Sequence, residues 1–139
     1  MEQFNRRKFL AAATVLATGT VVTAVSCNTS GSDVKGKTQL VHHVFFWLKN
    51  AGSQADRAKL IEGLETLKGI KEIGQLLIGT PAGTEKRDVV DHSYDVSELM
   101  FFNNKEEQDA YQVHPIHKAF VDNYSHLWDK VVVYDTLMA

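Results

Sequence analysis

From residue 39 onward the apolar positions alternate between two rhythms, one with a period of two residues and one with a helical period. Residues 39–49 are dense in β-branched and aromatic side chains, and neither alternate set is polar throughout. That predicts a strand covered on both faces, with His42, Val44, Phe46 and Leu48 on one and Val41, His43, Phe45 and Trp47 on the other. Leu60, Ile61, Leu64 and Leu67 then recur at helical spacing. Ser53 stands as the N-cap of that helix with Asp56 three residues on, a variant of the capping box, and Gly69 ends it. Residues 72–78 predict a short second strand and 94–102 a third. The polar stretch between them, 79–92, contains Pro81 and Gly83 and is long for a hairpin, so it is expected to be mobile or to rim a pocket.

Asn104 with Glu107 marks a second helix start, and residues 105–128 read as mostly helical. Pro115 interrupts that run. It has no amide to donate and restrains His114 away from helical angles, so a break is expected at His114, with Pro115 opening a new helix. Residues 130–137 predict the last strand. The order is β-α-β-β-α-β, the α+β pattern of ferredoxin-like folds. Two helices cover one face of a four-stranded sheet. The other face also carries large apolar groups, and a second copy of the chain is its natural cover, so a homodimer is expected.

Upstream the pattern changes. Arg6, Arg7 and Lys8 precede a weakly apolar run, rich in Ala and Thr and containing Gly19, that ends at Ser26-Cys27. This is the layout of an export signal, and it is poor material for a permanent membrane helix, which needs about 20 strongly apolar residues. Arg6-Arg7 followed by Phe9-Leu10 resembles the twin-arginine signal, which implies export of an already folded protein. A small residue before a lone cysteine resembles the lipobox of bacterial lipoproteins, with Ala24 where that motif more often has Leu. It implies that Cys27 is the lipidated first residue of the mature chain. An ordinary cleaved signal and a retained anchor are the alternatives. Residues 28–37 are small and polar and suit a flexible tether. The chain divides into a signal over 1–27, a tether over 28–37 and one domain over 38–139, on the outer, periplasmic or cell-surface, side of a membrane.

Composition narrows the function classes. The 139 residues suffice for one domain, and 44% hydrophobic with 23% charged residues excludes a disordered or collagen-like chain. Loss of Glu2, Arg6, Arg7 and Lys8 with the signal leaves 12 basic and 16 acidic side chains, a net charge of −4. No basic stripe remains, so nucleic acid is not an expected partner. A lone cysteine excludes an internal disulfide.

The candidate chemistry lies around the proline. Tyr111, His114 and His117 are spaced three apart, which places neighbours on one side of a helix, with distortion from Pro115. His117 is the third residue of the helix that Pro115 opens. The partial positive charge of a helix N-terminus disfavours imidazolium there, and a neutral imidazole is what a general base requires. Tyr111 then suits polarisation of a carbonyl oxygen. In the structural alternative Tyr111 packs in the core and His114 caps the helix that follows. A metal site is not expected: His42 and His43 point to opposite faces, and no HExxH spacing occurs.

His42-His43 with Val44 to Lys49, then Tyr111 to His117 with its His-Pro-x-His element, then Val131 to Asp135 resemble the stress-responsive dimeric α/β-barrel (Dabb) family over residues 39–137. The resemblance implies a dimer whose two sheets close into a barrel. One branch, the plant polyketide cyclases related to olivetolic acid cyclase, works without metal or cofactor through a tyrosine and a histidine on the last helix. Those positions match Tyr111 and His117, and a first-strand pocket histidine matches His42, with His114 a further pocket candidate. Where that branch has a histidine on the third strand, this chain has Asp95. The expected function is binding of a small, carbonyl-containing molecule in an apolar pocket, with cyclase, lyase or isomerase chemistry through Tyr111 and His117. A non-catalytic stress-protective or binding scaffold and a cofactor-free monooxygenase are the other two readings. If Cys27 is the modified terminus, the intact mass of membrane-extracted protein corresponds to a chain starting at Cys27 plus acyl groups; a different start or a missing acyl mass contradicts that.

Overall fold

The structure, a computed structural model, describes residues 39–139. The signal, Cys27 and the tether lie outside the described residues. The first strand, β1 (Leu40–Leu48), has apolar side chains on both faces and runs inside the sheet: its even-numbered residues are buried and its odd-numbered ones half-buried. Helix α1 (Gln54–Thr66) starts at Ser53, whose hydroxyl accepts the Asp56 amide at 3.2 Å. Strands β2 (Gln75–Gly79) and β3 (Val96–Phe102) follow, then helices α2 (Lys105–Val113) and α3 (Pro115–Tyr124), then β4 (Trp128–Leu137). The strands lie in the order β2-β3-β1-β4, with every adjacent pair antiparallel. This is a ferredoxin-like α+β fold.

The register decides which residues meet. His42 lies opposite Met100 on β3 and Asp135 on β4, and Val44 lies opposite Glu98 and Val133. These belong to the face that the helices cover. Leu60, Leu64 and Leu67 pack there on Val96, Met100 and Phe102, all fully buried, each contributing roughly 1.5–3 kcal/mol through removal from water. Helices α1 and α3 approach closely at Gly63, where a Cβ would sit 2.7 Å from the Tyr124 ring. Among the described residues the buried core is drawn wholly from the stretch between Leu40 and Leu127.

Several expected boundaries move; the last strand begins at Trp128, two residues before the expected 130. The second strand begins at Gln75, because Ile73 turns back to donate to the Ile70 carbonyl. The third begins at Val96, and the Asp95 side chain before it ties down the turn between β1 and α1. Its carboxylate accepts the amides of Leu48 (3.0 Å) and Gly52 (3.1 Å) and a guanidinium nitrogen of Arg57 (3.3 Å). Gly52 holds φ +77 there, which glycine adopts without strain.

Among the described residues no helix lies over the opposite face of the sheet. Val41, Phe45, Leu99 and Phe101 are half-buried on it, and Leu77 is 47% exposed. The loop between β2 and β3 reaches one end of this face: Trp47 Nε1 donates to Ser93 Oγ at 2.9 Å, and the Tyr94 and Phe45 rings meet at 4.9 Å. Among the described residues no helix is long and apolar enough to cross a membrane.

Candidate functional site

The helix break builds the site. The His114 backbone is extended (φ −64, ψ 137), and its ring Nδ1 accepts the Ile116 amide at 3.1 Å, capping α3 at Pro115. In an uninterrupted helix the Ile116 amide would donate to the Gln112 carbonyl. Here that carbonyl instead meets His117 Nδ1 at 3.1 Å. A carbonyl only accepts, so Nδ1 carries the proton, and in the neutral ring Nε2 holds the lone pair. The Tyr111 and His117 rings stand 4.4 Å apart, and the His42 ring lies 5.7 Å from Tyr111. His42 is anchored in turn, its Nδ1 meeting Asp135 Oδ1 at 2.6 Å.

These groups line one cavity of about 130 Å³, a size that admits a benzene-like ring. Val44, Phe46, Phe120 and Trp128 form apolar wall, and the rim residues Val121, Val131 and Val133 are 38–42% exposed. The structure thus brings together three expected residues, His42, Tyr111 and His117. His114, expected in the pocket, is not among its lining residues, because its ring is engaged as the cap of α3. Asp95 is also absent from the lining, held by the turn it anchors. The 79–92 loop, expected as a possible pocket rim, reaches the uncovered sheet face and not this cavity.

Glu98 is the lining residue that sequence reasoning did not single out. It is 1% exposed, and its Oε1 is buried without a hydrogen-bond partner among the described residues. Burial pushes its carboxyl up to about 8, because a low-dielectric surrounding disfavours the charged form. Burial also pushes the Tyr111 phenol up, helped by the negative charges of Glu98 and Asp135 at the pH where a phenol titrates. The His117 imidazole moves down: burial dominates, His42 adds to it, and the Gln112 carbonyl opposes it. Among the described residues no group of three His, Cys, Asp or Glu side chains comes together as a metal site.

The sequence profile of the Stress responsive A/B Barrel Domain, Dabb, matches residues 40–137, most of the chain. The chain belongs to the Dabb family. Solved structures agree on the fold of this Dabb domain. A Dabb family protein from Mesorhizobium loti with a ferredoxin-like fold superposes with a TM-score of 0.60 at 22% identity, over 74% of this chain and 99% of the other. A hydroxynitrile lyase from Passiflora edulis superposes at 0.63 with 20% identity, over 75% and 96%. A dimeric ferredoxin-like protein of unknown function from Thermobifida fusca does so at 0.59 with 17% identity, over 73% and 92%. No curated protein sequence matches the chain.

The buried acid makes stability depend on pH with a definite sign. Below about 4.5 Glu98 is protonated whether the chain is folded or not. Between there and about 8 it ionises only in the unfolded chain, so the wild type loses stability as pH rises, on the order of 1 kcal/mol per pH unit. Glu98→Gln should match the wild type near pH 4.5 and exceed it by a few kcal/mol near pH 8, measured by urea denaturation at both values. Parallel pH profiles would show that Glu98 does not carry this effect.

Proposed function

We propose that this Dabb domain belongs to an exported lipoprotein and binds a small carbonyl compound in the cavity, acting on it by acid–base catalysis without metal or cofactor. The observation that supports this most is the His117 ring, held by the Gln112 carbonyl through Nδ1 and tilted against Tyr111 at 4.4 Å. With its pKa drawn down, His117 is neutral at pH 7 and Nε2 is available as a base. In the proposed step Nε2 takes a proton from the carbon next to the carbonyl. Tyr111, whose phenol stays protonated, donates a hydrogen bond to the oxyanion that develops. The proton returns to carbon or to a leaving group, which covers cyclisation, cleavage and isomerisation. A fold of this kind carries a lyase in Passiflora edulis.

His117→Ala should lower turnover of any accepted substrate by about 100- to 10,000-fold, with the melting temperature nearly unchanged, and Tyr111→Phe should cost less. A variant that loses stability and retains turnover would make the histidine structural. One observation favours a binding role without chemistry: Asp95, at the position where the cyclase branch has a further histidine, is consumed by a turn. In that case His117→Ala alters ligand affinity and no turnover is found at all.

A homodimer is part of the same proposal. The uncovered sheet face is an apolar patch that a monomer would leave in water, and similarly folded proteins from Thermobifida fusca and Bacteroides fragilis are described as dimeric. Residues 38–139 should sediment as a dimer at micromolar concentration. A clean monomer contradicts it.

A further inference from the structure

Glu98 is a buried carboxyl group for which the proposed step has no use. It projects from β3 onto the helix-covered face, opposite Val44 on β1 and Ile78 on β2, both apolar. Its Oε1 is shut off from water without a hydrogen-bond partner among the described residues. Asp95, just before the same strand, shows the contrast: also buried, it accepts two amides and a guanidinium. A carboxyl whose desolvation is not offset inside the chain lowers stability, and such groups concentrate where a ligand completes them. Glu98 borders the cavity that also holds Tyr111 and His117.

We infer that Glu98 is a second hydrogen-bond donor of the cavity, beside Tyr111, to an uncharged ligand oxygen, so that the site selects small neutral carbonyl or hydroxyl compounds over hydrocarbons of the same shape. This rests on the pocket reading above and adds the ligand class. The apolar surroundings keep the carboxyl protonated near neutral pH. A protonated carboxyl offers one O–H, and a ligand oxygen placed against it removes the desolvation penalty that a hydrocarbon would leave in place. The titratable groups around the cavity are His42 from β1, Tyr111 from α2 and His117 from α3, with Asp135 of β4 behind His42; α1 and β2 contribute no lining residue. Burial displaces the His117 imidazole downward and the Tyr111 phenol upward, so both move away from the pH range in which Glu98 titrates.

Acetophenone and ethylbenzene, which differ in the oxygen, test the inference on residues 38–139 by NMR titration. At pH 6.5 the wild type should bind acetophenone roughly five- to tenfold more tightly than ethylbenzene, the effect of one hydrogen bond. The preference should fall by about that factor at pH 9.5 and in Glu98→Leu, to what the Tyr111 hydroxyl supplies. In Glu98→Gln, whose amide still donates, it should persist at both pH values. In the wild type itself, acetophenone should raise the titration midpoint of the Glu98 carboxyl carbon, read by carbon-13 NMR. A preference that Glu98→Leu and pH 9.5 leave undiminished, or a midpoint that acetophenone does not move, overturns the role of Glu98 and leaves the pocket standing. Binding of neither compound to the wild type overturns the pocket and this inference with it.

Discussion

The candidate site depends on one missing hydrogen-bond donor. Pro115 has no amide proton, and the extended backbone it imposes on His114 divides one helical run into two. The capping histidine then takes the Ile116 amide, which releases the Gln112 carbonyl, and His117 occupies that carbonyl. A backbone defect thereby fixes the side-chain tautomer of the proposed base. It also turns the start of α3 so that His117 meets Tyr111 from the end of α2. His114 serves the chemistry from outside the cavity, by shaping the segment that holds the base.

A second constraint acts on charge. The cavity is walled by Val44, Phe46, Phe120 and Trp128, and such a wall disfavours every ionised form. One physical cause therefore moves three groups toward neutrality: the Glu98 carboxyl and the Tyr111 phenol go up, and the His117 imidazole goes down. An acid and a base whose pKa values are displaced in opposite senses share one small space, the arrangement in which carboxyl and imidazole divide proton-transfer roles. Such a cavity reads a ligand by hydrogen bonds and shape, with Asp135 held behind His42 toward solvent.

Much of this was legible in the sequence because it rests on local rules. Ser53, Asn104 and Pro115 mark helix starts through backbone chemistry, and each holds in the structure. The apolar run of β1 marks a central strand. Partnerships that depend on register were less legible. Asp135 pairs with His42 only because β4 aligns with β1 at that position, and Asp95 turns away from the cavity because the preceding turn presents three donors to it. Glu98 had a signal that strand assignment alone did not use: it falls in phase with Val96, Met100 and Phe102, so an acid stands in the buried set of an otherwise apolar strand. The start of β2 was obscured because Ile73, in the turn before it, continues the apolar run of the strand upstream.

The central claim is that the helix break delivers a neutral His117 with its Nε2 lone pair available to the cavity. Nitrogen-15 NMR of the histidine rings at pH 7 tests it directly. The account predicts a protonated Nδ1 and an unprotonated Nε2 for His117, with the Nδ1 proton lost from its hydrogen bond when Pro115→Ala allows the Ile116 amide to return to Gln112. An Nε2-protonated ring, or an imidazolium at pH 7, would contradict it.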